Sequence, residues 1–524
     1  MGHCSIGVAI PASVHSRRWW ILAVLCVVVL IVVIDNTIVN VALPVLSKDL
    51  HASNSSLQWI VDAYSLPFAG LLLAGGGLSD RLGRKRVMQC GLVVFGAFSL
   101  MAAFSSSVTT LLVARALMGA AAAFVFPATL STLTVAFDDL SERAKAFGVW
   151  GAAGGVAIAI GPVVGGALLV HFWYGSIFLI NAPLVVVAVV AAAYVVPESR
   201  SPQRRRVDLL GLILGTLGVT SLTFAIIEGP TWGWLSGATL GLFGFAAISL
   251  VGFVRYEKVR EGPLLDVRIF SNRAFSASAG AIAVNYFSLF GFIFLITQYF
   301  QLIRGYSALS AGVHTLPFAI VTMIATPLGA VAALKAGTRN VVTLGLVILG
   351  AALTWAGFVV ANAAYFGPII AIMMIMAFGF SLVNAPATAS LMSTLAPEQI
   401  GAGAAVNETT RELAGAMGVA VVGSIFSSLF GPHVRAALRP YLAKGLSRHE
   451  LNLAASSTHA AQLVVAHFPA ALRPAVAAHV TDAFMDGLHR GCLVAGGVSF
   501  VAALVVFARL PKGVLAESGS LVHA

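Results

Sequence analysis

Long apolar runs separated by short polar stretches dominate the chain. About fourteen of them occur, near residues 19–46, 57–77, 87–105, 109–135, 143–170, 174–196, 208–227, 234–253, 274–302, 307–334, 340–360, 366–392, 399–430 and 487–509. A helix rising 1.5 Å per residue needs about 20 mostly apolar residues to cross a hydrocarbon core of roughly 30 Å, and these runs have that length. Membrane strands would show alternating segments of about ten residues, whereas a run such as Ile21 to Ile34 does not alternate. The pattern predicts an all-α polytopic membrane protein with fourteen spans.

Composition strengthens that reading. The 524 residues are 59% hydrophobic and 10% charged, against roughly 45–50% and 25% in soluble domains. A water-soluble globular protein is excluded. The first run continues through Ile38 to Leu46 without an A-x-A site, so it is a span and not a cleaved leader. The net charge of +11 resolves into topology: 21 basic residues fall on the side of the termini and 8 on the other, most of those in one long loop. By the positive-inside rule both termini are cytoplasmic, and nucleic acid drops out as a partner. Cys4, Cys26, Cys90 and Cys492 form no C-x-x-C pair, so neither a disulfide framework nor a thiolate metal site is indicated.

Two loops interrupt the rhythm of short connections. Residues 197–207 (PESRSPQRRRV) and 254–273 bracket a pair of spans and give a 6 + 2 + 6 layout. The expected organisation is a cytoplasmic tail at 1–18, a six-helix bundle at 19–207, two linker helices and a basic loop at 208–273, a second six-helix bundle at 274–509, and a tail at 510–524. Two related halves are a common transporter plan. The second half contains an outward segment, 431–486, rich in Ala and His, which reads as an interfacial helical hairpin; a metal or pH-sensing role is the alternative.

The loop between spans two and three reads Gly76-Gly77-Leu78-Ser79-Asp80-Arg81-Leu82-Gly83-Arg84-Lys85-Arg86. This G-x-L-x-D-R-x-G-R-K pattern resembles the signature of the major facilitator superfamily. Span one carries Asp35-Asn36-Thr37-Ile38-Val39-Asn40-Val41-Ala42-Leu43-Pro44, which is similar to a stretch of the fourteen-span drug:proton antiporters in that superfamily. Span four has Leu111 to Arg115 and Gly119, with Met118 where the family has Gln. Span five ends in Gly161-Pro162-Val163-Val164-Gly165-Gly166, resembling the antiporter motif with Ala157 in place of its first glycine. The resemblance implies the major facilitator fold, a conformational latch at Gly76, Asp80, Arg81, Gly83 and Arg84, and a pathway-sealing bend at Gly161, Pro162, Gly165 and Gly166. The matching segment of the second half, Gly329 to Arg339, has alanines and no Asp, so that copy of the latch is degraded.

Ionisable groups inside spans are costly and mark function by default. Asp35 lies about 15 Å deep and Arg115 about 9 Å deep from the same side at 1.5 Å per residue, so the two can meet. Asp35 is read as a proton-coupling or substrate-charge site, with a static pair to Arg115 as the alternative. Asp62 is either a second functional acid or an interfacial carboxylate. Glu408, Arg411 and Glu412 share one helix face, where Glu408 is a coupling group or a structural partner of Arg411. Glu228, beside Gly229-Pro230 and Trp232, reads as interfacial. Tyr64, Phe124, Trp150 and Tyr286, with Asn36, Asn40, Asn285 and Asn384, are candidates to line a cavity, since aromatic faces with few fixed polar groups suit lipophilic cations.

Together these features predict a proton-coupled multidrug efflux antiporter in the inner (plasma) membrane, exporting lipophilic cations. A dedicated exporter of a metabolite, lipid or siderophore is the alternative, and a nontransporting sensor a remote one. No P-loop, H-E-x-x-H or G-x-S-x-G occurs, so no enzyme, metal or cofactor is expected. The expected partners are protons, a small-molecule substrate and the bilayer, with a periplasmic adaptor left open.

Overall fold

The computed structural model describes residues 12–137, 139–200, 208–260, 267–394, 400–444 and 446–511. The side chains of some helical positions, Asp80 among them, lie outside the described residues. Helices α1 (Ala12–Asp49), α2 (Asn54–Leu82), α3 (Arg84–Ala103), α4 (Val108–Ala136), α5 (Leu140–His171), the short α6 (Ser176–Leu179) and α7 (Asn181–Val195) pack into a first group. Helices α8 (Leu209–Trp232) and α9 (Gly237–Val259) follow. The second group comprises α10 (Arg273–Gln298), α11 (Ala308–Ala336), α12 (Thr338–Ala356), α13 (Ile370–Ser393) and α14 (Ile400–Leu438), with α15 (Arg448–Ser456), α16 (Thr458–His467) and α17 (Arg473–Arg509). Thirteen helices among the described residues are long and apolar enough to cross a membrane; α2, with 29 residues, runs between two of them at matching length.

Short polar residues start these helices. The side chains of Ser53, Ser107, Asp139, Asp208, Ser236, Asn272 and Ser307 each accept from a backbone N–H of the first turn, satisfying donors that hydrocarbon cannot. The apolar run at 174–196 is broken after Ile180, so one expected span is α6 plus α7.

Successive spans alternate in direction, so the face at which α1 begins is called the near face and the other the far face. Among the described residues, the hydrogen bonds and glycine contacts joining the two groups fall between mid-membrane and the far face. On one side Gln58 Nε2 of α2 donates to Ser427 Oγ of α14 at 3.3 Å, beside Gly423, where a methyl group would stand 2.6 Å from the Gln58 carboxamide carbon. On the other, α5 and α11 touch backbone to backbone: a methyl on Gly166 would lie 2.5 Å from Ala308 O and 2.7 Å from Leu309 N. Gln301 Nε2 adds a bond to Val41 O at 2.8 Å. The molecule is closed at the far face.

Helix α8 lies along the α2–α14 seam. Trp59 Nε1 of α2 donates to Glu228 Oε1 of α8 at 3.0 Å, so Glu228 joins two helices instead of merely marking an interface. Ser424 of α14 donates to Ile226 O of α8. Helix α9 packs almost solely on α8.

Segment 431–486 forms the far-face extension of α14, the α15–α16 hairpin and the start of α17. Helix α16 reaches both groups: Gln462 donates to Leu302 O, and His459 sits by Lys48, Asp49 and His51 at the end of α1. Burial, and then Lys48 and His51, push the His459 imidazole below the usual histidine value, with Asp49 opposing. The docked hairpin therefore disfavours the charged form of His459. Docking is favoured while the free imidazole is also neutral and weakens as pH falls below about 6.5. Hydrogen–deuterium exchange should show residues 448–467 losing protection between pH 7.5 and 5.5, and His459→Gln should flatten that change.

Candidate functional site

The first bundle holds an ion pair in its interior. Arg115 Nη1 of α4 lies 2.6 Å from Asp35 Oδ2 of α1, and both side chains are fully buried. Arg115 Nε donates to Ile60 O at 3.2 Å, and its guanidinium carbon stands 4.4 Å from the centre of the Tyr64 ring. Asp35 Oδ1 accepts from Asn181 Nδ2 at 2.8 Å. A carboxylate with a guanidinium on one oxygen and an amide on the other is stabilised by charge-assisted bonds, which is how the cost of burying it is offset. Asn181 carries no periodic signal in an apolar run; the Asn-Ala-Pro start of α7 is the only sequence cue to it.

The second bundle carries a parallel arrangement on α14. Arg411 Nη1 is 2.8 Å from Glu408 Oε1, with side-chain exposures of 19% and 17%, so this pair is partly open where Asp35 and Arg115 are sealed. Arg411 Nη2 donates to Thr388 Oγ1 at 3.1 Å and Asn384 Oδ1 at 3.3 Å, and the guanidinium lies 5.2 Å from the Tyr286 ring centre. One turn on, Glu412 Oε2 accepts from Asn36 Nδ2 of α1 at 3.5 Å. That bond crosses between the bundles one residue from Asp35.

Asp62 is fully buried within the protein. Its place on α2 falls between Gln58, which meets α14, and Trp59, which meets α8. Among the described residues neither of its carboxyl oxygens has a hydrogen-bond partner.

Aromatic rings run in series through the first bundle, Tyr64 to Phe68 at 5.8 Å, Phe68 to Phe126 at 5.9 Å, and Phe126 to Trp150 at 5.2 Å. Phe124 makes no ring contact among the described residues and is half-buried, while its neighbour Phe126 joins the series. In the second bundle Tyr286 meets Phe290 and Phe380. Asn285 is buried and donates to Phe380 O at 3.1 Å, so it fastens α10 to α13. Asn40 bonds back to Asn36 O within α1.

The expected loop at Gly76 to Arg86 is instead the last turns of α2 and the first turn of α3, joined at Gly83 alone and fastened within the first bundle. Gly83 adopts φ +116°, a left-handed conformation that suits glycine. Arg84 Nη1 donates to Ser131 O at 3.2 Å, Lys85 Nζ to Ala193 O at 2.6 Å, and Arg86 pairs with Glu198 at 3.5 Å. Arg81 is exposed, and Gly76 passes Pro127 at van der Waals distance. Along α5, Gly161 and Gly165 admit Thr37 and Ile38 of α1, while Pro162 O abuts Gly312 and Gly166 abuts α11. Four small or bent positions thus let one helix touch two neighbours at backbone distance.

Two helical bundles in a membrane, closed at one face around buried charge pairs, define a polytopic transporter. The chain belongs to the Major Facilitator Superfamily, whose pattern matches residues 25–419. It is 33% identical over 506 residues to the multidrug efflux pump LfrA of Mycolicibacterium smegmatis, covering 97% of this chain and 99% of that one. It is 30% identical to the methyl viologen resistance protein SmvA of Salmonella typhimurium, covering 95% and 99%. Among solved structures, a bacterial homolog of the human lysosomal transporter Spinster, inward-facing and occupied, superposes with a TM-score of 0.61 at 18% identity, covering 94% of this chain and 97% of that chain.

Proposed function

We propose that this protein is a proton-driven exporter of lipophilic, cationic compounds, working by alternate exposure of a central site to the two faces. The near face is the cytoplasmic one, by the excess of basic residues there, and segments 19–207 and 274–509 are the bodies that rock. The observation that carries the reading is the sealed Asp35–Arg115 pair, joined through Asn36 to the partly open Glu408–Arg411–Glu412 face. A proton reaching Asp35 from the far side cancels its charge, loosens Arg115 and weakens hold on a bound cation. Asp62, fully buried and without a hydrogen-bond partner among the described residues, offers a second place for a proton while the α2–α14 seam is shut. The aromatic series supplies apolar area and ring faces for varied cations. Names given to the relatives, an efflux pump and a resistance protein, support the export of toxic compounds.

The test is uptake of a fluorescent lipophilic cation into everted vesicles under an imposed pH gradient. Uptake is expected to fall at least tenfold in Asp35→Asn and on collapsing the gradient. Uptake indifferent to both would overturn the proposal.

A further inference from the structure

The donors around Asp35 have a direction that can be read bond by bond. Ser99 Oγ, fully buried on α3, donates its single proton to Phe178 O at 2.8 Å. Its oxygen is thereby left to accept, and it does so from Asn181 Nδ2 at 3.0 Å. The same amide nitrogen donates its other hydrogen to Asp35 Oδ1 at 2.8 Å. Arg115 Nη1 occupies Oδ2 at 2.6 Å. Both carboxyl oxygens are thus met by hydrogens, and a proton on Oδ1 would point at another hydrogen. With Asp35 ionised, the opposite orientation of the amide would set two oxygens against each other. Asn181 is itself buried and opens α7, immediately after the break from α6, which contains Phe178.

We propose that Asn181 is a positioning residue for Asp35 whose amide turns over with the charge on that carboxyl. When Asp35 takes a proton onto Oδ1, Asn181 Oδ1 swings in to accept it. The Ser99 hydroxyl then turns from Phe178 O to the same amide oxygen. No covalent bond other than the new O–H changes. The outcome is that a proton arriving at Asp35 frees Phe178 O, so the α6–α7 break loses one of its ties to α3. A charge change on α1 is carried to a helix that Asp35 itself does not occupy, through two side chains with no titrating group between them.

This inference rests on the proposed coupling role of Asp35, and the experiment separates the two. Cation–proton exchange is followed against pH in proteoliposomes containing the full chain, for wild type, Asp35→Asn, Asn181→Leu and Ser99→Ala. Asn181→Leu loses the amide bond in both charge states, but the bond to the ionised carboxyl is charge-assisted and the stronger of the two, so the half-maximal pH should move alkaline, by up to about one unit. Ser99→Ala should move it the same way by less, since the amide still donates to Asp35, and it gives an independent reading should Asn181→Leu not fold. A role in packing alone would lower yield or maximal rate and leave the midpoint in place. If Asp35→Asn abolishes the pH dependence while neither Asn181→Leu nor Ser99→Ala shifts the midpoint, the relay is wrong and the coupling site stands. If Asp35→Asn keeps a wild-type profile, the coupling site falls and the relay with it.

Discussion

Replacing Arg115 by leucine is expected to destabilise the protein by about 3–5 kcal/mol in alkaline buffer, the usual cost of stranding one member of a buried pair, and by much less in acid. The pair is fully buried on both sides, so no water takes the place of the missing guanidinium. Only a proton can. In the variant the folded state binds that proton more tightly than the unfolded chain does, so stability falls as pH rises. Thermal unfolding in detergent between pH 5 and 9 should show this slope, and the double variant Arg115→Leu with Asp35→Asn should abolish it, because no charge is then left to neutralise. A single variant that is destabilised equally at all pH values would mean that packing against Tyr64, 4.4 Å from the guanidinium, is what Arg115 chiefly supplies.

Gly166→Val should push the molecule out of its far-closed arrangement. The added carbons meet Ala308 O and Leu309 N of α11, at 2.5 and 2.7 Å from the first of them. Both are backbone atoms of a helix and have no rotamer by which to retreat. Overpacking of this kind costs about 2–3 kcal/mol, roughly a thirtyfold to 140-fold change in the ratio of two conformations. With the native cysteines removed, Ser427→Cys on the opposite seam reports the change: its thiol should react with a maleimide at least tenfold faster in the Gly166→Val background. Unchanged reactivity would show that the two seams part independently.

Much of the fold is legible because the bilayer imposes length. The apolar runs and the Ser, Asp and Asn residues before them give the helices, and counting residues from the span ends puts Asp35 and Arg115 within about 6 Å of each other in depth, close enough for long side chains to meet; they lie 2.6 Å apart. The (i, i+3) spacing likewise gives Glu408 and Arg411, 2.8 Å apart. What escapes such counting depends on which helices become neighbours. Asn181 meets Asp35 from 146 positions away, and Asn36 meets Glu412 from 376; one amide in an apolar run gives no period to read. Phe126, which the sequence does not distinguish from Phe124, joins the ring series only because α4 packs it against Phe68 and Trp150. The approach of α16 to the end of α1, where His459 lies by Lys48, Asp49 and His51, likewise joins segments about four hundred positions apart with no pattern to announce it.

Helix α8 touches α2 through Glu228 and Trp59 and α14 through Ile226 and Ser424, while among the described residues the α5–α11 contact has no such companion. The molecule therefore presents two unlike flanks to the lipid, one where α8 shutters the seam and one where α5 and α11 meet on their own.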